Sequence, residues 1–360
     1  MKEKLYLLLW TILIPILAWI AYFSISVVGV IPPIVFSFLL IGSVLAAVHH
    51  AEVIAYRVGE PLGSFLLALA ITIIEVALIV SLMLTGGELE TKTLARDTVF
   101  AAVMIILTGI IGLCILVGAT KYKEQTFTLQ GVSTALITLT AILAFALILP
   151  NYTTSVKQPE YNSTQLIFIA LVCFILYITF IMIQSIRHRA YFLSPKAKEN
   201  EVILPEKPTI KVTLISTLFL FLCLGIVVLL AKSLAPDIEK TVLKIGAPKA
   251  VVGVIIAGVV LLPEGYAAYR AAKKNQLQTS LNLALGSALA SIGLTIPAVA
   301  IVSIATGVRI TLGIDLKAMT LLLLAQFIII LSLATGRTNI LQGIVLLMIF
   351  FVYLFTTVFP

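Results

Sequence analysis

The chain is 360 residues long, 61% hydrophobic and 11% charged, with a mean hydropathy of +1.17. A soluble domain carries about 25% charged residues, so these values exclude a water-soluble globular protein and point to a chain that crosses a lipid bilayer repeatedly. The formal net charge of +8 reads as membrane topology, because excess Lys and Arg gathers in cytoplasmic loops, and no nucleic-acid partner is expected.

A span needs about 20 apolar residues. The chain offers eleven such runs, near 5–24, 29–48, 62–85, 98–119, 131–150, 164–186, 211–231, 249–269, 279–304, 317–335 and 340–359. The expected fold is therefore an all-α polytopic membrane protein. The first run has no small-residue cleavage motif and no polar domain after it, so it reads as a true span rather than a removed leader. His49 and His50, followed by Glu52, close the second run. Imidazole titrates near neutrality, which makes this interfacial pair a candidate pH sensor; the further ligands of a zinc site are missing.

The third run holds Glu75 alone in LLALAITIIEVALIV. Ser64, Ala68, Thr72 and Glu75 follow at steps of four, four and three, on one helical face. Such a small and polar stripe lets a neighbouring backbone approach closely. In the fourth run Gly109 and Gly112 are packing candidates, with no ionisable group beside them. Asn151-Tyr-Thr and Asn162-Ser-Thr match the glycosylation pattern on a predicted outer loop. Arg187–Lys211, rich in Lys, Pro and Glu, reads as a cytoplasmic linker.

The eighth run holds the second isolated acid, with Pro263 before Glu264 and Gly265 after it. Proline removes a backbone donor and frees carbonyls of the preceding turn. Inside a membrane, freed carbonyls are tolerated where they line a cavity or bind an ion. The ninth run carries Asn282, Gly286, Ala290, Gly293 and Pro297 on one stripe and Ser287, Ser291 and Thr295 on the next. Small residues at this spacing serve helix packing, and the hydroxyls fit the oxygen preference of hard cations. Cys114, Cys173 and Cys223 lie inside apolar runs without metal spacing and read as small buried hydrophobes.

The larger share of the 24 Lys and Arg residues falls on the side of the N-terminus, including Arg57, Lys121, Lys123, Arg187, Arg189, Arg270, Lys273 and Lys274. That bias places the N-terminus in the cytoplasm and the C-terminus outside, in the inner membrane of a bacterium or archaeon. The offset between the third and eighth runs is odd, so their helices run in opposite directions. With the first span set aside, the rest divides five and five, and each acid falls in the second span of its five. This is the pattern of an inverted repeat with its site at the midplane. The expected organisation is an N-terminal span over 1–28, one repeat over 29–186, a linker over 187–211 and a second repeat over 212–360.

An ionised carboxylate at mid-membrane costs at least ~2.5–3.5 kcal/mol. It persists where a proton, a cation or a partner neutralises it. Two such positions, Glu75 and Glu264, with Thr72, Asn282, Ser287 and Ser291 as further oxygens, point to a cation and proton site. The expected cargo is Ca²⁺, Na⁺ or K⁺ exchanged for protons, with the lipid bilayer and inorganic cations as expected partners and no cofactor expected. An intramembrane enzyme with a glutamate acid/base pair, and a cation channel, are the alternatives. The first has no metal motif, no nucleophile beside a base and no Arg cluster to support it; the second would pass ions without moving protons.

Three stretches resemble the bacterial ChaA-type cation/proton antiporters, in the wider calcium/cation antiporter superfamily. They are HAEVIAYRVGEPLGSFLLALAITIIEVALI (His50–Ile79), LLPEGYAAYRAAKKNQLQTSLNLALGSALASIGLTIP (Leu261–Pro297) and ATGRTNILQG (Ala334–Gly343). The resemblance implies an eleven-span fold with two inverted five-span repeats after the first helix. It implies that Glu75 and Glu264 are the acidic residues of the two repeats and take cation and proton in turn. Related calcium exchangers carry Gly-Asn before the acidic residue; here Ile73-Ile74 precede Glu75, and Pro263 precedes Glu264.

Overall fold

The computed structural model describes residues 8–28, 32–58, 62–85, 92–156, 159–193, 208–244, 246, 248 and 250–360. Most of the predicted 187–211 linker lies outside them, as do the side chains of Ser64, Ala68 and Pro263. In chain order the helices are α1 (Leu9–Val28), α2 (Pro33–Val58), α3 (Leu62–Thr85), α4 (Leu94–Tyr122), α5 (Leu129–Tyr152), α6 (Ser163–Arg187), α7 (Ile210–Lys244), α8 (Ala250–Lys273), α9 (Leu277–Thr306), α10 (Leu316–Leu333) and α11 (Ile340–Val358). Among the described residues, eight helices are long and apolar enough to cross a membrane, or nine if the bent α8 is one span. The apolar part of α1, Leu9–Ser24, is shorter than these.

The helices form two compact units. The first contains α1, α2, α3 and α7. Its contacts run along α2, which packs against α1, α3 and, over the greatest length, α7. Ala18, Phe36, Ile226, Leu230 and Leu234 make its core. The Trp19 indole donates to the Leu222 carbonyl at 3.1 Å, and Gly225 leaves room for that ring.

The second unit contains α4, α5, α6 and α8 to α11. α4 is largely enclosed, whereas α11 presents Phe351, Val352 and Phe355 outward. Apolar outer faces of this kind suit lipid rather than water. Ile105–Ile110 of α4 forms a π-turn, in which the Thr108 hydroxyl donates back to Met104 O at 2.5 Å. At Gly109 and Gly112 the helix comes close to Phe350, Leu346 and Leu347 of α11. A Cβ at Gly112 would come 3.1 Å from Leu347 N, and one at Gly343 of α11 would come 2.6 Å from Leu116 N.

Short connections tie the second unit at both ends. Gln125–Thr126 (β1) pairs antiparallel with Arg337–Thr338 (β2), in the register Gln125 to Thr338 and Thr126 to Arg337. At the opposite ends of these helices, the segment after α9 bonds to two other connections and to the last turns of α5: Thr311 N to Lys92 O, Gly313 N to Pro159 O, and Ile314 N to Leu147 O. The Arg96 guanidinium pairs with Asp97 at 2.8 Å and donates to Gly313 O at 3.1 Å. Asn162, Asp315 and Asn339 cap α6, α10 and α11 with their side-chain oxygens, satisfying amides that a helix start leaves open.

Candidate functional site

In the first unit Glu75 lies on α3 and is 4% exposed. Thr72, three residues earlier and on the same face, is equally buried. Both side chains have interaction partners. α3 runs from Leu62 to Thr85 without a proline, so this carboxyl hangs from an unbroken helix.

In the second unit Glu264 occupies a different kind of position. The two halves of α8, Ala250–Leu262 and Glu264–Lys273, meet at 54°. The break falls at Pro263, whose missing N–H the sequence flags. Glu264 is half-buried, and the Ser287 hydroxyl of α9 donates to its Oε2. Ser291, one turn further along α9, is buried. Gly265 lies against Ile110 of the α4 π-turn, with 3.1 Å to its Cδ1 from where a Cβ would stand. The arrangement gives a carboxyl with a hydroxyl ligand beside a bend, which can hold a proton or share oxygens with a hard cation.

The remaining predicted residues separate. Asn282 is placed elsewhere: its carbonyl oxygen accepts from Gln278 at 2.8 Å, and its amide donates to Phe192 O at 2.6 Å. Gln278 in turn accepts from Thr128 N at 2.6 Å. Asn282 thus belongs to a hydrogen-bond chain that joins the starts of α5 and α9 to the segment after α6. Gly286, expected to pack, has open space beside it: among the described residues a Cβ there would have no neighbour within 4 Å. Gly293 does pack, since a Cβ would stand 2.8 Å from the Cβ of Tyr177 on α6.

His49 and His50 lie in the first unit. His50 is fully buried, its Nε2 is 3.2 Å from Thr11 O, and its ring stacks on Phe219 with centroids 5.4 Å apart. This holds α1 and α7 to α2. His49 faces Trp10, with ring centroids 6.4 Å apart. The three cysteines are free and buried, as their apolar settings predict. Among the described residues no three His, Cys, Asp or Glu side chains gather as a metal site.

Tyr177 was missed by the sequence reading. Its side chain is fully buried, and its hydroxyl has no hydrogen-bond partner among the described residues. A lone hydroxyl in the middle of the apolar α6 was the available signal.

The family profile described as "Sodium/calcium exchanger protein" matches residues 7–186 and 215–359. The chain belongs to the sodium/calcium exchanger family. It is a multi-pass integral membrane protein and an ion exchanger rather than an enzyme. It is 47% identical over 322 residues to the putative ionic transporter y4hA of Sinorhizobium fredii (strain NBRC 101917 / NGR234), covering 89% of this chain and 87% of that one. It is 32% identical over 319 residues to the sodium-potassium/proton antiporter ChaA of Escherichia coli (strain K12), covering 88% and 86%. The fold is shared with native YfkE, at a TM-score of 0.71 and 20% identity, over 97% of this chain and 100% of that one. It is also shared with the H⁺/Ca²⁺ exchanger CAX, at a TM-score of 0.71 and 18% identity, over 98% and 88%.

Proposed function

We propose that this exchanger moves a cation, Ca²⁺, Na⁺ or K⁺, against protons, with Glu75 and Glu264 taking cation and proton in turn. The observation that carries the reading is Glu264 at the α8 bend with the Ser287 hydroxyl on its carboxyl. The name of the ChaA relative, a sodium-potassium/proton antiporter, and that of the CAX structure, an H⁺/Ca²⁺ exchanger, support proton coupling.

The chemistry follows from linkage. Burial favours the protonated carboxyl, and a bound cation favours the ionised one. Proton and cation therefore exclude each other, and cation binding releases protons. A protonated carboxyl is neutral and crosses the reorientation step without the cost of an unpaired charge. Two carboxylates neutralise one divalent cation or two protons. Ser287 and Ser291 add neutral oxygens, as Thr72 does beside Glu75.

The proposal includes the arrangement read from the sequence: eleven spans, an N-terminal one over 1–28, repeats over 29–186 and 212–360, and a cytoplasmic linker over 187–211. It places the N-terminus in the cytoplasm and the C-terminus outside. The test is transport by the purified chain in liposomes carrying an internal pH dye, with Ca²⁺, Na⁺ and K⁺ added separately. At least one cation gradient is expected to drive proton movement in the opposite direction. Cation uptake without proton counterflow would support a channel and end the proposal.

A further inference from the structure

The helices that carry Glu264 and Ser287 are both anchored on one short connection, residues 123–128 between α4 and α5. Gln125 in this connection is 1% exposed. Its Nε2 donates to Ala272 O in the last turn of α8 at 3.0 Å, and to Asn275 Oδ1 just past that helix at 3.1 Å. Three residues on, Thr128 N donates to Gln278 Oε1 in the first turn of α9 at 2.6 Å. Gln278 is likewise buried, and its Nε2 continues to Asn282 Oδ1 at 2.8 Å.

Gln125 is itself held from two further sides. It pairs with Thr338 in the β1–β2 ladder. Its amide lies over Gly118 of α4, where a Cβ would overlap Oε1. That oxygen is buried and has no hydrogen-bond partner among the described residues. The amide therefore keeps its nitrogen on α8 at the cost of an unsatisfied acceptor. At the receiving end the backbone turns sharply: Asn275 has φ +61°, and its N donates to Ala272 O at 3.0 Å. Gln125 thus bridges both acceptors of a left-handed helix end. The Tyr122 hydroxyl adds a bond to Lys273 O at 3.1 Å, but that bond is exposed and water can take its place.

Beyond its bend α8 is short, Glu264–Lys273. Proline at the bend removes a backbone donor that would tie this half to the one before it. Its seam with α4 is built from small residues, with Gly265 against Ile110, and Ala268 and Ala272 clustered with Cys114. Such contacts hold two helices together but carry no direction, so they leave the axial register open. The hydrogen bonds at the far end close it. Ala272 lies eight residues after Glu264, and Ser287 nine after Gln278. A rigid helix of about 12–14 Å therefore joins each anchor to its member of the Glu264–Ser287 pair. We propose that Gln125 is a positioning residue for the cation site. It fixes the end of α8 on the same connection that holds the start of α9, and so keeps the Glu264 carboxyl within reach of the Ser287 hydroxyl.

The inference rests on Glu264 and Ser287 belonging to the transport site, and the experiment keeps the two apart. Gln125→Met keeps the length of the side chain and removes its donor. Cation-driven proton flux in liposomes, with Ca²⁺, Na⁺ and K⁺ tried separately, gives the cation KM of wild type, Gln125→Met, Ser287→Ala and the double variant. Gln125→Met is expected to raise KM by about three- to tenfold. Because it acts through the Ser287 contact, it should add less than about twofold to the effect of Ser287→Ala. A helix cap that served folding alone would lower the amount of active protein and leave KM unchanged. An unchanged KM, or a rise that multiplies in full with that of Ser287→Ala, overturns the inference. Asn275→Gly removes one of the two acceptors and still permits the positive φ. It decides the question by the same two criteria if Gln125→Met does not insert. Glu264→Gln run alongside is expected to be inactive; if it still exchanges, the transport reading and this inference fall together.

Discussion

Glu75 and Glu264 are alike in sequence, each a lone acid in a long apolar run, and unlike in their supports. Glu75 is enclosed on an unbroken helix with Thr72 one turn before it. Glu264 is half-buried where α8 turns through 54°, and it receives a hydroxyl from the next helix. The first position resists hydration through burial on a regular scaffold. The second breaks the backbone, which frees carbonyl oxygens, and adds a side-chain donor. In the proposed exchange the pair would divide two tasks: one carboxyl held in a dry setting, the other at a place where the backbone yields.

The largest effect should come from removing either charge. Glu75→Gln and Glu264→Gln conserve size and abolish both proton exchange and cation attraction, so each is expected to reduce coupled flux to background in a folded, inserted protein. A variant that keeps wild-type flux would show that only the other carboxyl carries the exchange. A smaller effect should separate the two supports. Ser287→Ala deletes a hydrogen bond to a charged group, worth about 1.5–3 kcal/mol, and is expected to weaken apparent cation affinity by about tenfold or more. Thr72→Val on the Glu75 side should weaken it less. Equal losses, read from the concentration dependence of flux, would erase the contrast. The smallest effect on binding is expected of Pro263→Ala. It restores a backbone donor at the bend, so thermal unfolding should move to higher temperature while turnover falls. A lower melting temperature would mean that the bend is held by packing rather than by proline.

Much of this architecture was legible in the sequence, for a physical reason. A bilayer demands about 20 apolar residues per crossing, so each apolar run became a helix. Proline advertised the α8 bend, and the hydroxyl stripe of α9 advertised Ser287. Asn282 was not legible, because its partner, Phe192 O, lies 90 residues away on a segment whose course hydropathy does not encode. Gly286 and Gly293 look the same in sequence. What separates them is the neighbouring helix, which brings Tyr177 to one, while the other has no described atom within 4 Å. The company α7 keeps with α1, α2 and α3 was equally hidden. In lipid an apolar face carries no record of whether it meets a helix or an acyl chain. The five-and-five division remains a proposal read from chain order, whereas packing groups the helices by neighbour.

The β1–β2 pairing has a consequence for biogenesis. Gln125 and Thr338 share a ladder although almost the whole later part of the chain lies between them. A ribosome feeding the membrane from the N-terminus delivers β1 early and must finish α10 before β2 exists. The second unit is therefore sealed only near the end of synthesis, with the amides of β1 in the meantime left to water or to other partners. The first unit waits too, since α7 emerges well after α3. Insertion and assembly are thus separate events in this chain, and each unit passes through a stage in which its helices already cross the bilayer without the neighbours that will enclose them.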